Sequence, residues 1–353
     1  MKRILIVIVA GIGDLVLASM AIRAIRNGNP DAEIHILTSS DAESLALNYR
    51  FVDRVWPFPI RELRKSKRHL FKIFRIVQNL RTFQFDKIIN LYRVGSRVGA
   101  LKMGLFFLLL KGHSKIGHGA FGFDLFLTKS LPTDTFENRH CTEGTIKIAE
   151  AAGGIPDEKG IEIFWDKNCE DKWNYLLRRR DSSHLLVGIN PGGDRENRRW
   201  GSKNYADVAD RLADRFDLTL FILGGPGEEP IAGDIRLSMK HDSVDLSGKL
   251  SLNDLAYVIS RLDLLVTNDS GPMHIGAATG TPLVAVFGPE DPINVAPYTS
   301  PDLFRIIYKE IACRPCGKKK CRNFRCLDLI TPDEVIDKCL ELLRIHKPFL
   351  FDS

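Results

Sequence analysis

No stretch of this sequence stays apolar for long. The run after Met1-Lys2-Arg3 ends at Ala10 and the next, residues 105–110, is shorter still, against the ~20 residues a membrane span needs. The basic start imitates a signal peptide. It passes, however, into Gly11-Ile12-Gly13-Asp14 and an amphipathic segment, which suits a buried strand entering a turn, so neither span nor leader is expected. Low-complexity tracts and internal sequence repeats are absent, and with 44% hydrophobic and 27% charged residues the chain reads as globular rather than disordered or fibrous. An even set of cysteines is also missing. There are seven, four of them within residues 313–326, and no export signal accompanies them, so a reducing cytoplasm is expected. A full GxGxxG is lacking because its last glycine would fall on Val16, which weakens a dinucleotide-dependent dehydrogenase. Basic runs occur without the fold signals of a nucleic-acid binder, so no nucleic-acid partner is expected.

What is present begins with length: 353 residues exceed one ordinary core, so two domains are expected. Apolar runs alternate with helical patterns throughout, the mark of an α/β chain with parallel sheets. Strands are expected at 4–9, 34–37 and 87–91, with helices at 15–27 and 101–110; after a polar helix over 166–180 the pattern restarts. The restart has strands at 185–189, 218–223, 245–246, 262–267 and 283–287 and helices at 204–216, 252–261 and 273–279. Ser251 with Asp254, and Thr331 with Pro332 and Glu334, carry helix-start chemistry. We therefore expect two Rossmann-like domains facing each other across a cleft, over 1–175 and 176–330, and a final helix over 331–353. The net charge of +6 is concentrated in Arg61, Arg64, Lys65, Lys67, Arg68, Lys72, Arg75, Arg81 and Lys87 and again over 314–325. These runs read either as solvated faces or as contacts to an anionic surface such as lipid headgroups.

Ligands of open parallel sheets collect where strands end, so four turns are candidate sites. The first is Gly11-Ile12-Gly13-Asp14, where glycines admit a ligand and Asp14 is either a cleft-facing group or a helix cap. The second runs from Asn190 through Gly192-Gly193-Asp194-Arg195 to Arg198-Arg199-Trp200. A glycine turn followed by guanidinium groups suits a diphosphate, and surface salt bridges are the alternative. The third, Gly224-Gly225-Pro226-Gly227-Glu228-Glu229, offers a carboxylate for ribose hydroxyls or is a solvated loop. The fourth is Asn268-Asp269-Ser270-Gly271-Pro272-Met273-His274, where small residues open a helix whose first amides can face a phosphate. There Asp269 either organises the loop by accepting backbone N–H bonds or touches a donor sugar. His274 reads first as a buried, hydrogen-bonded residue and second as a catalyst. Cys313, Cys316, Cys321 and Cys326 have spacing compatible with a zinc or iron–sulfur site, or are free thiols or a facultative disulfide; no metal is expected.

The fourth turn, followed by Pro282-Leu283-Val284-Ala285-Val286-Phe287-Gly288-Pro289-Glu290-Asp291-Pro292, resembles the signature of glycosyltransferase family nine, the heptosyltransferases. Glu290 stands where that signature usually has Thr. The resemblance extends to the Ile-Gly-Asp opening, the Pro-Gly turn with Trp200, the Gly-Gly-Pro-Gly-Glu loop and the cysteine-bearing tail. It implies a GT-B fold, an acceptor-binding first domain, a nucleotide-sugar-binding second domain, and a last helix returning toward the first. It further implies a cytoplasmic, inverting enzyme, peripheral at the inner membrane face if membrane-bound, that moves heptose from ADP-heptose to a lipopolysaccharide core acceptor and requires no cofactor. Asp14 matches the general base, with Gly11 and Gly13 in the acceptor-side loop. Gly193, Asp194, Arg198, Glu228, Asp269, Ser270, Gly271, Met273 and His274 match the donor side, Arg198 standing where relatives carry a phosphate-contacting Lys. A different nucleotide sugar or acceptor, or a non-catalytic donor-binding scaffold, remain the other readings.

Overall fold

A computed structural model describes residues 1–60, 62, 69–318, 321 and 323–351. Of the basic runs, Arg61, Arg64, Lys65, Lys67, Arg68, Lys319, Lys320 and Arg322 lie outside the described residues. The chain forms two compact units, Met1–Glu162 and Ile163–Ser353.

In the first unit, strands β1 (Arg3–Ile8), β2 (Glu33–Ser39), β3 (Arg54–Phe58), β4 (Phe85–Asn90), β5 (Gly112–His118) and β6 (Lys129–Leu131) form one parallel sheet in the order β3-β2-β1-β4-β5-β6. Ile4 to Ile8 are buried, as an unbroken aliphatic run requires when helices cover both faces of the sheet. The helix expected over 15–27 is two helices, Ile12–Leu17 and Ser19–Gly28, joined at Ala18. At that joint Ser19 is fully buried, and its hydroxyl accepts the Glu162 N–H at 2.9 Å.

The second unit repeats the plan with β7 (Leu185–Asn190), β8 (Leu218–Ile222), β9 (Val244–Asp245), β10 (Leu264–Asn268), β11 (Leu283–Val286) and β12 (Phe304–Ile307). Its order, β12-β11-β10-β7-β8-β9, is the first sheet's order read from the other edge. In each all-parallel sheet the order of strand addition thus switches sides between the first and fourth strands, β1 beside β4 and β7 beside β10. Mid-strand Gly188 lets Leu262 pack on β7, since a Cβ there would lie 2.5 Å from the leucine Cδ1.

Both predicted caps form. Ser251 Oγ accepts the Asp254 N–H at 3.1 Å, and Thr331 Oγ1 accepts the Glu334 N–H at 3.4 Å while Glu334 Oε2 accepts the Thr331 N–H at 3.0 Å. Helix Pro332–His346 packs on helix Ser202–Ala213 and on β10, β11 and β12, all within its own unit. The division between units falls earlier than 175/176. Helix Asn168–Trp173, all that forms of the polar helix, packs on helix Leu252–Ser260, with Lys172 Nζ 2.9 Å from Asp254 and Trp165 ring-to-ring at 6.0 Å with Tyr257.

Candidate active site

In the second unit the turns after β7, β8 and β10 are tied together by two buried asparagines and the half-buried Glu228. Asn268, at the end of β10 and fully buried, donates from Nδ2 to the carbonyls of Pro191 at 2.7 Å and Gly192 at 3.0 Å. Its Oδ1 accepts the Trp200 N–H at 3.2 Å. Asn190, at the end of β7, donates to Thr267 Oγ1 and Ser270 Oγ, both at 3.3 Å. The glycine turn is therefore anchored at both ends to the neighbouring strand. Glu228 closes the set: Oε1 accepts the Gly193 N–H and Oε2 the Gly225 N–H, each at 2.8 Å. A Cβ on Gly192 would lie 2.1 Å from Glu228 Oε2, so only glycine fits beside this carboxylate. Each carboxylate oxygen keeps a second lone pair, which a sugar hydroxyl can use.

Over this frame sits a cluster of opposite charges. Arg199 is turned inward, donating to the Gly193 carbonyl at 2.9 and 2.6 Å, and so is committed to the turn itself. Arg198 pairs closely with Glu290, while Arg195 Nη1 reaches the same Glu290 oxygen at 3.2 Å. Arg198 Nε lies 3.7 Å from Asp269 Oδ2 and Nη1 3.8 Å from Asp194. Among the described residues, neither Arg198 Nε nor Asp269 Oδ2 has a hydrogen-bond partner, although both atoms are buried. Burial pushes the Asp269 carboxyl up to about 6; Arg198 pulls it down, while Glu290 and Asp194 add to the rise. Burial alone would lower the Arg198 guanidinium, but Asp269 and Glu290 outweigh it and hold it above its ordinary value.

The Asp269 carboxylate faces Arg198, and among the described residues no hydrogen bond ties its Oδ2 into the loop. Helix Gly271–Thr279 starts at Ser270, whose extended backbone (φ −156°, ψ 175°) gives no side-chain cap, and ends at Gly280 in the left-handed region (φ 71°). Ser270 and Gly271 are partly exposed, whereas Met273 and His274 are buried, so the helix's accessible start is made of small residues.

Glu290, marked in the sequence only as a departure from the family signature, and Arg314, marked only as part of a basic run, also belong to this cluster. The Arg314 guanidinium donates to the carbonyls of Phe287 at 3.2 Å and Glu290 at 3.1 Å, and the N–H groups of Cys316 and Gly317 both donate to Pro289 O at 3.1 Å. The cysteine-bearing segment thus holds the Glu290 loop. Its cysteines are free thiols, Cys313 exposed and Cys326 buried. Among the described residues no group of three or more His, Cys, Asp or Glu side chains is arranged to hold a metal.

In the first unit, Asp14 is exposed and is the third residue of helix Ile12–Leu17; its Oδ2 accepts the Gly11 N–H at 2.9 Å. The cap reading is therefore realised, on a carboxylate that solvent still reaches. Burial, and next the Asp14 charge, push the thiol of Cys141, the first residue of helix Cys141–Ala151, up to about 12. A cavity of about 370 Å³ opens at the carboxyl ends of β4 and β5, lined by Arg93, Val94, His118, Phe121, Phe136 and Glu137. His118 Nε2 accepts the Val94 N–H at 2.9 Å; burial, then Arg93, pull this imidazole down to about 4, so it is neutral at pH 7. No sequence signal marked Arg93, His118 or Glu137, which stand outside any motif.

Against known proteins, residues 73–326 match the model of "Glycosyltransferase family 9 (heptosyltransferase)". Lipooligosaccharide heptosyltransferase 2 of Campylobacter jejuni is 29% identical over 165 residues, which cover 45% of this chain and 51% of that protein, so the chain aligns with about half its length. A family 9 glycosyltransferase of Veillonella parvula superposes with a TM-score of 0.80 at 22% identity, covering 100% of this chain and 98% of that one. The ADP-heptose lipopolysaccharide heptosyltransferase II of Escherichia coli superposes with a TM-score of 0.72 at 21% identity, over 97% and 98% of the two chains. These likenesses extend the two-sheet architecture to the whole chain. With the family model covering well over half of its residues, the chain belongs to glycosyltransferase family 9.

Proposed function

We propose that the protein transfers heptose from ADP-heptose to a core glycan of lipopolysaccharide, with inversion at the anomeric carbon. The observation that carries this reading is the β7/β10 switch point. There a glycine turn, Arg195, Arg198 and the side-chain-poor start of helix Gly271–Thr279 belong to one frame anchored by Asn268. Such an assembly suits an anionic diphosphate, because guanidinium forks and helix-terminal amides supply fixed donors at low reorganisation cost. Gly193, Asp194, Arg198, Glu228 and residues 269–274 form the donor side, Glu228 taking ribose hydroxyls through its remaining lone pairs.

The first unit serves the acceptor. The acceptor oxygen attacks the anomeric carbon and its proton passes to Asp14. The bond from that carbon to the β-phosphate oxygen breaks, its electron pair leaving with ADP. Arg198 and the amides after Asp269 stabilise the charge that develops on the departing diphosphate. Because cations and a helix terminus answer that charge, no metal enters the scheme. An acceptor anchored in lipid places the enzyme at the cytoplasmic face of a membrane.

One observation favours a second reading within the family: Glu290 adds a carboxylate to the donor cluster where the signature usually has Thr, which suits a nucleotide sugar other than ADP-heptose. Nucleotide release from ADP-heptose, UDP-sugars and GDP-sugars, each with and without delipidated core glycan, separates the two. Turnover confined to ADP-heptose supports the first reading, and turnover of another donor supports the second. Turnover of none overturns both.

A further inference from the structure

Helix Arg97–Leu109 is apolar nearly all round, yet the unit covers only one side of it. Ala100, Gly104 and Phe107 are buried, and Gly104 lies so close to the Phe126 ring that a Cβ would meet it at 2.3 Å. Val98, Leu101, Leu105, Leu108 and Leu109 are 49–63% exposed. At about 100° per residue these five span an arc of roughly 100°, with Arg97 just outside one edge and Lys102 just outside the other. Two further elements that pack with this helix also expose apolar side chains. Helix Leu70–Leu80, whose Leu80 shares a buried cluster with Ala100 and Phe107, exposes Leu70, Phe71 and Phe74 beside Lys72 and Arg75. Segment Ala120–Phe126, packed on helix Arg97–Leu109, exposes Leu125 at 83% and Phe121 at 52%, the latter at φ 57°, a left-handed conformation uncommon for a bulky side chain.

Charge decides what covers this surface. From residue 62 to residue 126 the sequence has thirteen Lys and Arg against three acids, Glu62, Asp86 and Asp124, a local excess of +10 in a chain whose total is +6. Among the described residues, Lys72, Arg75, Arg97 and Lys102 form no ion pair. We propose that this face docks on an anionic lipid bilayer, helix Arg97–Leu109 lying in the plane of the interface. Its leucine stripe enters the acyl boundary while the flanking cations snorkel to headgroup phosphates. The helix is too short to cross: 13 residues reach about 20 Å, against ~30 Å of hydrocarbon. A second copy of the chain fits less well, because a two-fold contact sets the same cations against one another with no carboxylate in the stripe to answer them. Phe121 also lines the cavity beside β4 and β5, so an acceptor anchored in the same bilayer would enter there. That last step rests on the transfer reading; the docking does not.

Vesicle flotation of the full chain tests it, with vesicles of phosphatidylcholine alone or with about one-third phosphatidylglycerol, at near-physiological and raised salt. The expected result is flotation with the mixed vesicles, weakened roughly tenfold or more by salt or by omitting the anionic lipid. The triple variant Leu101→Gln, Leu105→Gln, Leu108→Gln and, separately, the pair Arg97→Glu, Lys102→Glu should each lose as much, with circular dichroism and turnover of a delipidated acceptor unchanged. Three results overturn the proposal. They are no flotation with either vesicle, flotation that neither variant weakens, or a dimer without lipid that the leucine variant dissociates, which gives the face to a second copy.

Discussion

Replacing Glu290 with glutamine removes one negative charge from the cluster and keeps the side chain's shape. Glu290 holds Arg198 and, at 3.2 Å, Arg195, in surroundings where these three side chains are 18–24% exposed. A diphosphate bound by the same guanidiniums has to compete with that carboxylate and lie near it. At a separation of about 7 Å and an effective dielectric of roughly 20–40, the repulsion is about 1–2 kcal/mol per unit charge. Glu290→Gln, and Glu290→Thr with it, should therefore bind ADP roughly 5- to 30-fold more tightly. Titration calorimetry of ADP into the wild type and both variants, at constant pH and salt, reads this directly. Because Glu290 also helps to raise the Asp269 carboxyl, that group should fall from about 6 in the same variants. Unchanged or weaker ADP binding would refute the reasoning, since it would mean that Arg195 and Arg198 do not receive the diphosphate.

Asp14→Asn keeps the size of the capping side chain but not its basicity, so turnover should drop about 10²–10⁴-fold while ADP affinity holds; steady-state ADP release beside calorimetry measures both. Asn268→Ala leaves the buried Trp200 N–H and the Pro191 and Gly192 carbonyls without their partner. It should cost about 3 kcal/mol and lower the melting temperature by roughly 6–12 °C in scanning calorimetry, an effect whose absence would show that the turn is held by something else. Asp269 gives a pH signature: its carboxyl titrates at about 6 when folded, against ~3.9 unfolded. The folded state therefore binds more protons between those values. The stability this contributes, roughly 2–3 kcal/mol, is fully present below pH ~4 and lost as pH rises through about 6. Urea unfolding across that range should show the decline in wild type and not in Asp269→Asn; parallel curves for the two would exclude the burial effect.

The central strands were the most legible part of the fold, because β1, β7, β10 and β11 are aliphatic runs that parallel burial on both faces demands. Edge elements were not. β3 carries Arg54 and Pro57 inside Arg-Val-Trp-Pro-Phe, β6 is three residues long, and β12 is only partly buried, so none shows a clean apolar signal. Helix Arg97–Leu109 was found in essence, but its exposure was invisible in a pattern that is apolar on every side. At the site, glycine turns and strand ends pointed to loops that the second unit ties together, since backbone requirements are local. Pairings between distant residues were not readable: Glu290 on Arg198 joins positions 92 apart, and Asp269 facing Arg198 followed from packing that no spacing encodes. The cysteine tail shows the same limit. Its spacing left a metal site, free thiols and a facultative disulfide open, and nothing in it showed that Arg314 and the Cys316 and Gly317 amides hold the Glu290 loop.

The measurement that bears most directly on the transfer mechanism is ADP release from ADP-heptose by the purified full-length protein, with and without a lipopolysaccharide core acceptor, beside Asp14→Asn. Release that needs the acceptor and falls at least a hundredfold in the variant is the predicted result. Release that ignores the acceptor, or that Asp14→Asn leaves intact, would contradict transfer with Asp14 as the base.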